Sequence, residues 1–462
     1  MKTPICDFVE NYKKSKPLRL HMPGHKGADY GTENDVTEID GADVLYSAKG
    51  IILESERNAT EIFGSGKTLY SCEGSSLCIR ATLFLARVYY EESQRNDKKP
   101  LILAARNAHK AFLSAVALLD FDVEWLYPDK KEEKPVSYME SGISAEAVEK
   151  KLESLRGEGR TPVAVYVTSP DYLGNLCDLK KIALACKKYG VISIVDNAHG
   201  AYLKFLRPSI HPLDCGIDMC CDSAHKTLPV LTGGAYLHLS ASCPASVLDN
   251  AERAMSLFAS TSPSYLILQS LDKVNPYLNS EFTEEVGALS DKIAETKTEL
   301  EKIGFRSVGN EPLKITLYTR PYGYTGKEVD EYLKTKNIFC EFSDPDFTVF
   351  MLTPRLPSDC LLRLKSELKN LRKRDALPDI APPQTVKRRA LSVREAVFAE
   401  TEVLPTERCL GRIYADLNAS CPPAVPIVAC GEIIDENAIY SLTYYGTDFC
   451  RVLKTRPSSK LI

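Results

Sequence analysis

Between about residues 52 and 265 short apolar runs alternate with amphipathic stretches, and this alternation limits the possible folds more than any other feature. Leu101-Ile102-Leu103-Ala104-Ala105 reads as a buried strand, followed by a helix at about 109–119. Val163-Ala164-Val165-Tyr166-Val167 reads as a second strand, followed by a helix at about 178–189. Val191-Ile192-Ser193-Ile194-Val195, rich in β-branched residues, reads as a third. Strand and helix in turn predict an α/β fold with a mostly parallel, doubly wound sheet and right-handed crossovers. Such sheets keep their ligand crevices beyond the carboxyl ends of the strands. Asp196 follows Val195 directly and so stands at such a crevice.

The rest of the 462 residues lies on either side of this region. Residues 1–50 are polar, carry Pro17, Pro23, Gly24, Gly27 and Gly31, and read as an arm with little core of its own. A long charged helix at about 281–303 precedes Leu313–Tyr318, a helix near 326–336 and Phe347–Leu352, which together predict a smaller α+β unit. The stretch 375–388, with Pro378, Pro382 and Pro383, reads as a linker. A last α+β unit follows, with a helix near 393–399 and a Pro-rich turn at Cys421–Pro426. The expected divisions are 1–50, 51–270, 271–375 and 376–462.

Composition excludes several function classes. Hydrophobic residues at 44% and charged residues at 26% are ordinary for a globular protein. A net charge of −4 leaves no basic footprint for nucleic acid, and the runs at 130–134 and 372–374 read as solvated. No apolar run approaches the roughly 18 residues of a membrane span. The first residues lack a signal-peptide core, so the cytoplasm is the expected compartment. The fifteen cysteines include no Cys-x-x-Cys pair and read as reduced, mostly buried small residues, with no metal site expected.

Lys226 lies in Asp222-Ser223-Ala224-His225-Lys226-Thr227, just ahead of the Gly-bearing stretch Leu231–Ala235. A lysine for a Schiff base, an aspartate for a pyridinium nitrogen, and hydroxyls for a phosphate are what pyridoxal 5'-phosphate requires. The bland alternatives are a helix-capping Asp196 and a solvated Lys226. Glu73-Gly74-Ser75-Ser76 precedes the apolar helix Leu77–Ala86 and offers N–H groups and hydroxyls to a phosphate. Plain helix capping would use the same residues.

Asp196-Asn197-Ala198-His199-Gly200 and Ser223-Ala224-His225-Lys226-Thr227-Leu228-Pro229-Val230-Leu231-Thr232 resemble two patterns of the ornithine/lysine/arginine decarboxylases. These are Asp-Glu-Ala-His-Gly and Ser-x-His-Lys-Thr-Leu-Pro-Ala-Leu-Thr. Arg106–Lys110 resembles the family's Arg-Asn-x-His-Lys, His21–Gly27 its His-x-Pro-Gly-His-Lys, and Ser260–Pro263 its Thr-Ser-Thr-Ser-Pro. The resemblance spans essentially the whole chain, and it is to the short form that lacks an N-terminal wing domain. It implies the aspartate-aminotransferase-like fold, type I of the pyridoxal-phosphate enzymes, with a large cofactor domain, a smaller α+β domain and a C-terminal α+β domain. It implies Lys226 as the Schiff-base lysine, Asp196 on the pyridine nitrogen and His109 stacked on the ring. Ala198 and His199 are then cofactor neighbours, and Ser223 and His225 join Gly74, Ser75 and Ser76 around the phosphate.

Ser260 is implied to reach the phosphate of a partner subunit, hence a homodimer or larger homo-oligomer with shared sites. The implied reaction converts lysine, arginine or ornithine to the corresponding amine and CO2. A cationic substrate needs an anionic partner. Glu432, at a position like the family's Pro-Gly-Glu, and Asp171, in Thr168–Gly174, are the candidates, with capping or surface acids as the alternative for each. Four departures stand out: Asn197 for the family's Glu, Cys78 and Ile79 for a small residue and Asn, and Ser47-Ala48-Lys49-Gly50 for His-Pro-x-Gly. They leave a non-catalytic paralogue open. An aminotransferase, with a late arginine such as Arg320 or Arg355 gripping the α-carboxylate, is the other alternative.

Overall fold

The computed structural model describes residues 1–28, 31–93, 99–128, 142–417 and 425–454. Its central sheet has seven strands: β1 (Lys67–Ser71), β2 (Leu101–Ala105), β3 (Asp122–Leu126), β4 (Ala164–Thr168), β5 (Ile192–Asp196), β6 (Met219–Asp222) and β7 (Ala235–Leu239). Their order is β1-β7-β6-β5-β4-β2-β3. Pairings from β6 across to β3 are parallel, whereas β7 runs antiparallel to both β6 and β1. The chain thus has the α/β, mostly parallel architecture that its alternating pattern predicts.

Side chains of one strand alternate between faces, and both faces here are buried. Ile102, Ala104 and Ile194 join one core with Leu77 and Leu83 of α3 (Gly74–Ser93) and Phe112 and Val116 of α4 (Lys110–Leu119). Leu103, Val165 and Val195 join the other with Val148 of α5 (Ala145–Gly157) and Ile182 of α6 (Leu179–Tyr189). Here α1 is Pro4–Lys14 and α2 is Ile51–Phe63. Helix starts follow their caps: side chains of His109, Ser144 and Asp178 accept the N–H groups of the first turns of α4, α5 and α6.

A second, antiparallel sheet comprises β8 (Arg306–Val308), β9 (Lys314–Tyr318), β10 (Phe342–Ser343) and β11 (Phe347–Met351), ordered β10-β11-β9-β8. The long helix Phe282–Lys302 lays Val286, Ile293 and Leu300 into a core shared with Ile315 and Leu317. The tail carries the antiparallel pair β12 (Thr401–Pro405) and β13 (Phe449–Leu453).

Two readings of the sequence gain detail. The N-terminal arm begins with α1, whose Ile5 and Val9 are buried. The Asp272 carboxylate accepts the N–H groups of Ile5 and Cys6 at 3.0 and 2.9 Å. A short apolar stripe in a polar segment hid this helix. The irregular stretch 375–388 is pinned at its end, where buried Lys387 donates to Thr385, Asp435 and Asn437 at 2.7–2.8 Å. The charge run 130–134 and most of the Pro-rich turn, residues 421–424, lie outside the described residues. Among the described residues no helix is long and apolar enough to cross a membrane.

Candidate active site

The site forms where β5 and β6 end. Asp196, the last residue of β5, is buried. Tyr166 of β4 donates its hydroxyl to Asp196 Oδ2 at 3.1 Å, and Ala198 N–H donates to Oδ1 at 3.2 Å. After β6 the chain turns at Ser223 into the one-turn helix α7 (Ala224–Thr227), which presents half-buried Lys226. Lys226 Nζ lies 3.0 Å from His199 Nε2. Burial, aided by the Lys314 charge, holds His199 neutral, with a pKa well below that of ordinary histidine. His109 caps α4 with its side chain. Its pKa is lowered chiefly by burial, with Asp196 opposing and Lys226 adding to the shift. Lys226, Asp196, His199 and His109 thus form one electrostatic group, although they come from three separate stretches of chain.

Next to this group is an anion cup. Gly74, at φ +68°, opens α3, and a Cβ there would meet nothing within 4 Å. The first turn of this 20-residue helix has no acidic residue, and although the Gly74 N–H is given to the Gly233 carbonyl at 2.7 Å, the helix dipole and the N–H groups after Gly74 favour an anion. Ser223 donates its hydroxyl to Ser75 at 2.8 Å, which ties the lysine loop to the cup. Ser76 is half-buried beside it. His225 turns its Nδ1 to the Gly234 carbonyl at 3.0 Å. The Thr227 hydroxyl and Asn107 Oδ1 are buried with no hydrogen-bond partner, so polar groups of the lysine and His109 loops are left for a polar ligand to satisfy. These features fit pyridoxal phosphate: an amine, a buried carboxylate, a neutral imidazole and a phosphate-sized donor set.

Three other predicted residues take internal partners. Glu432 is buried in a bidentate pair with Arg106, both N–O distances 2.6 Å, and also accepts Ala429 N–H at 2.7 Å. Arg106 lies three residues before His109, so this pair fastens the tail to the histidine loop. Asp171 is buried and accepts both N–H donors of Asn175 at 2.8 Å, backbone and side chain. Ser260 is exposed, and its N–H donates to Glu73 at 2.6 Å, which holds it beside the cup of its own chain.

The departures from the family patterns have local explanations. Asn197 donates to Asp222 at 2.7 Å, so the carboxylate of this pair sits on β6 instead of at the position where the family carries Glu. Cys78 and Ile79 face the core and are fully buried. Lys49 is exposed, and its N–H helps to satisfy Asp43. His211, Cys220 and Asp222 place metal-ligand-type atoms within 4.8 Å of one another. However, His211 Nδ1 accepts Leu213 N–H, which leaves the ring's hydrogen on Nε2, where it donates to Asp222 at 3.0 Å. Hydrogen bonding thus pairs His211 with Asp222, which also accepts from Asn197.

Sequence reasoning missed Lys314 and Glu311. Both are buried and 2.7 Å apart, and Lys314 Nζ lies 3.3 Å from His199 Nδ1. Their one trace in the sequence is a lone cation inside the apolar run Leu313–Tyr318.

A seven-stranded, mostly parallel sheet with a lysine and an aspartate at adjacent strand ends defines the class: an α/β enzyme with the fold of type I pyridoxal-phosphate enzymes. Within it, the chain belongs to the Orn/Lys/Arg decarboxylase family, whose major domain matches residues 3–308. It is 29% identical to an arginine decarboxylase of Halalkalibacterium halodurans over 94% of this chain and 91% of that one. It is 28% identical to an arginine decarboxylase of Bacillus subtilis over 95% of this chain and 92% of that one. The constitutive lysine decarboxylase of E. coli has the same fold, with a TM-score of 0.76 at 17% identity over 98% of this chain and 82% of that one.

Proposed function

We propose that this chain decarboxylates a basic L-amino acid with pyridoxal 5'-phosphate as cofactor, and that arginine is its preferred substrate. The observation that carries the reading is Lys226 held against neutral His199, beside Asp196 and the cup at Gly74. Arginine is favoured by the arginine decarboxylases that match over nearly the whole chain.

When bound, the cofactor ring takes up the electron pair left as CO2 departs. Asp196 keeps the proton on the pyridine nitrogen through a charge-assisted hydrogen bond. Tyr166 and Ala198 N–H orient that carboxylate. His109 covers the ring. Ser75, Ser76, Ser223 and the first N–H groups of α3 bind the phosphate, with His225 beside them. Lys226 holds the cofactor and, once released, carries a proton to the reacting carbon. Glu432 and Asp171 are buried and already engaged by Arg106 and Asn175, so in this reading they fix the loops around the site. The working unit is a homodimer or larger homo-oligomer with shared sites in the cytoplasm, and the product is a polyamine-type amine.

An aminotransferase reading fits less well. Arg320 spends its guanidinium on the Pro378 and Pro345 carbonyls, and Arg355 stacks on Tyr277 at 4.0 Å. The test is an end-point amine assay on cofactor-saturated protein with arginine, lysine and ornithine. The expected result is amine from arginine above the other two. No amine from any of them overturns the proposal.

A further inference from the structure

We propose that Lys314, paired with Glu311, is a positioning residue that sets the tautomer of His199 and so keeps the amine of Lys226 unprotonated and nucleophilic. The inference rests on the reading of Lys226 as the cofactor lysine and adds residues from the second sheet to it.

A lysine ammonium has three hydrogens and no acceptor. Lys314, the first residue of β9, is buried and faces three groups. Glu311 Oε2 is at 2.7 Å, the Asp171 carbonyl at 3.3 Å and His199 Nδ1 at 3.3 Å. A hydrogen pointed at Nδ1 makes that nitrogen the acceptor, so the hydrogen of the neutral ring sits on Nε2. Nε2 faces Lys226 Nζ at 3.0 Å. An N–H can donate only to a nitrogen with a lone pair, which an ammonium lacks. With Glu311 ion-paired to Lys314, the contacts from Lys314 through His199 to Lys226 are compatible only with a neutral amine at Lys226. Protonating Lys226 would require the other ring tautomer and would set two hydrogens against each other between Nδ1 and Lys314.

Glu311 is essential to the device, because a buried lysine without a counter-charge would lose its proton. The other groups around the pair fit the same scheme. His109 and His225 add to the field that keeps His199 neutral. Asp196 favours a cation nearby, but its carboxylate is engaged by Tyr166 and Ala198. The Asp171 carboxylate is turned to Asn175, and the Tyr172 ring meets His199 edge-on at 5.2 Å.

The test uses the full-length protein free of cofactor. Trace acetylation with acetic anhydride across a pH series, read at Lys226 by peptide mass spectrometry, gives the protonation midpoint of its amine. In wild type the midpoint should lie about two units or more below the ordinary lysine value of about 10.4. E311Q/K314M removes both charges together and should raise the midpoint by about one unit, leaving about tenfold less reactive amine near neutral pH. A merely structural pair would change the melting temperature and leave this midpoint in place, and that result overturns the inference.

A second measurement needs no folded variant. Nitrogen NMR of wild-type His199, assigned by loss of its signal in H199Q, should show the Nε2–H tautomer, and the Nδ1–H tautomer overturns the inference. The cofactor reading fails separately, if wild type develops no absorbance at roughly 400–430 nm when pyridoxal phosphate is added.

Discussion

Asp196 Oδ2 accepts the Tyr166 hydroxyl and Oδ1 accepts Ala198 N–H, so the carboxylate is aimed before any ligand arrives. Asn in its place keeps the shape and removes the charge. D196N should retain cofactor absorbance while kcat falls by about 10²-fold or more, a loss of roughly 3 kcal/mol at the transition state. Wild-type kcat in D196N would refute the assignment to the pyridine nitrogen. Asp196, Lys226, His109 and Ser75 are legible in the sequence because each lies in a short pattern whose chemistry is local. Glu311 and Lys314 are not, since their meaning comes from His199, more than a hundred positions away and on another sheet. Glu432 was legible as a position but not as a partner, because nothing near it in sequence points to Arg106.

Among the elements, β1 is an edge strand of the large sheet, and Glu56 of α2 covers part of that edge by accepting Tyr70 N–H at 2.9 Å. Burial pushes the Glu56 carboxyl up from 4.5 to about 8, so it is protonated in the fold at neutral pH. For a carboxyl raised on folding, the contribution to stability is full below the unfolded value and is lost as pH rises through the folded one. Urea unfolding should therefore show stability falling between about pH 4.5 and 8, by up to about 1.4 kcal/mol per pH unit. E56Q should flatten that slope, and an unchanged slope would assign it to other groups.

The strands Leu101–Ala105, Ala164–Thr168 and Ile192–Asp196 and the helices after the first two were legible to within a residue or two, since period-two and period-3.6 patterns are local, whereas the other four strands of the large sheet were not read and α3 runs well beyond the stretch Leu77–Ala86. Helix α1 was not legible, because its apolar stripe is short and is completed by contacts with α2 and with the helix Tyr265–Leu278.

For the whole molecule, the pair Arg106–Glu432 joins the tail to the large sheet, with both side chains buried. E432Q leaves a buried guanidinium without its counter-charge and should cost about 3–5 kcal/mol of stability. Thermal unfolding would register this as a clear drop in Tm. A change confined to KM would instead return Glu432 to substrate binding. The proposed reach of Ser260 to the phosphate of a partner subunit can be checked by complementation. Mixing K226A chains with S260A/T261A chains should restore part of the activity that each lacks, because one hybrid site carries both intact halves. An active monomer in sedimentation would refute the shared site.

The same pair also sets an order of events during synthesis. Arg106 and Glu432 are 326 positions apart in the chain. At roughly 5–20 residues per second, the ribosome delivers the carboxylate about 16–65 s after the guanidinium. For that interval the loop carrying His109 lacks the anion that pairs with Arg106, so this fastening of the large domain waits until nearly the whole tail has been made.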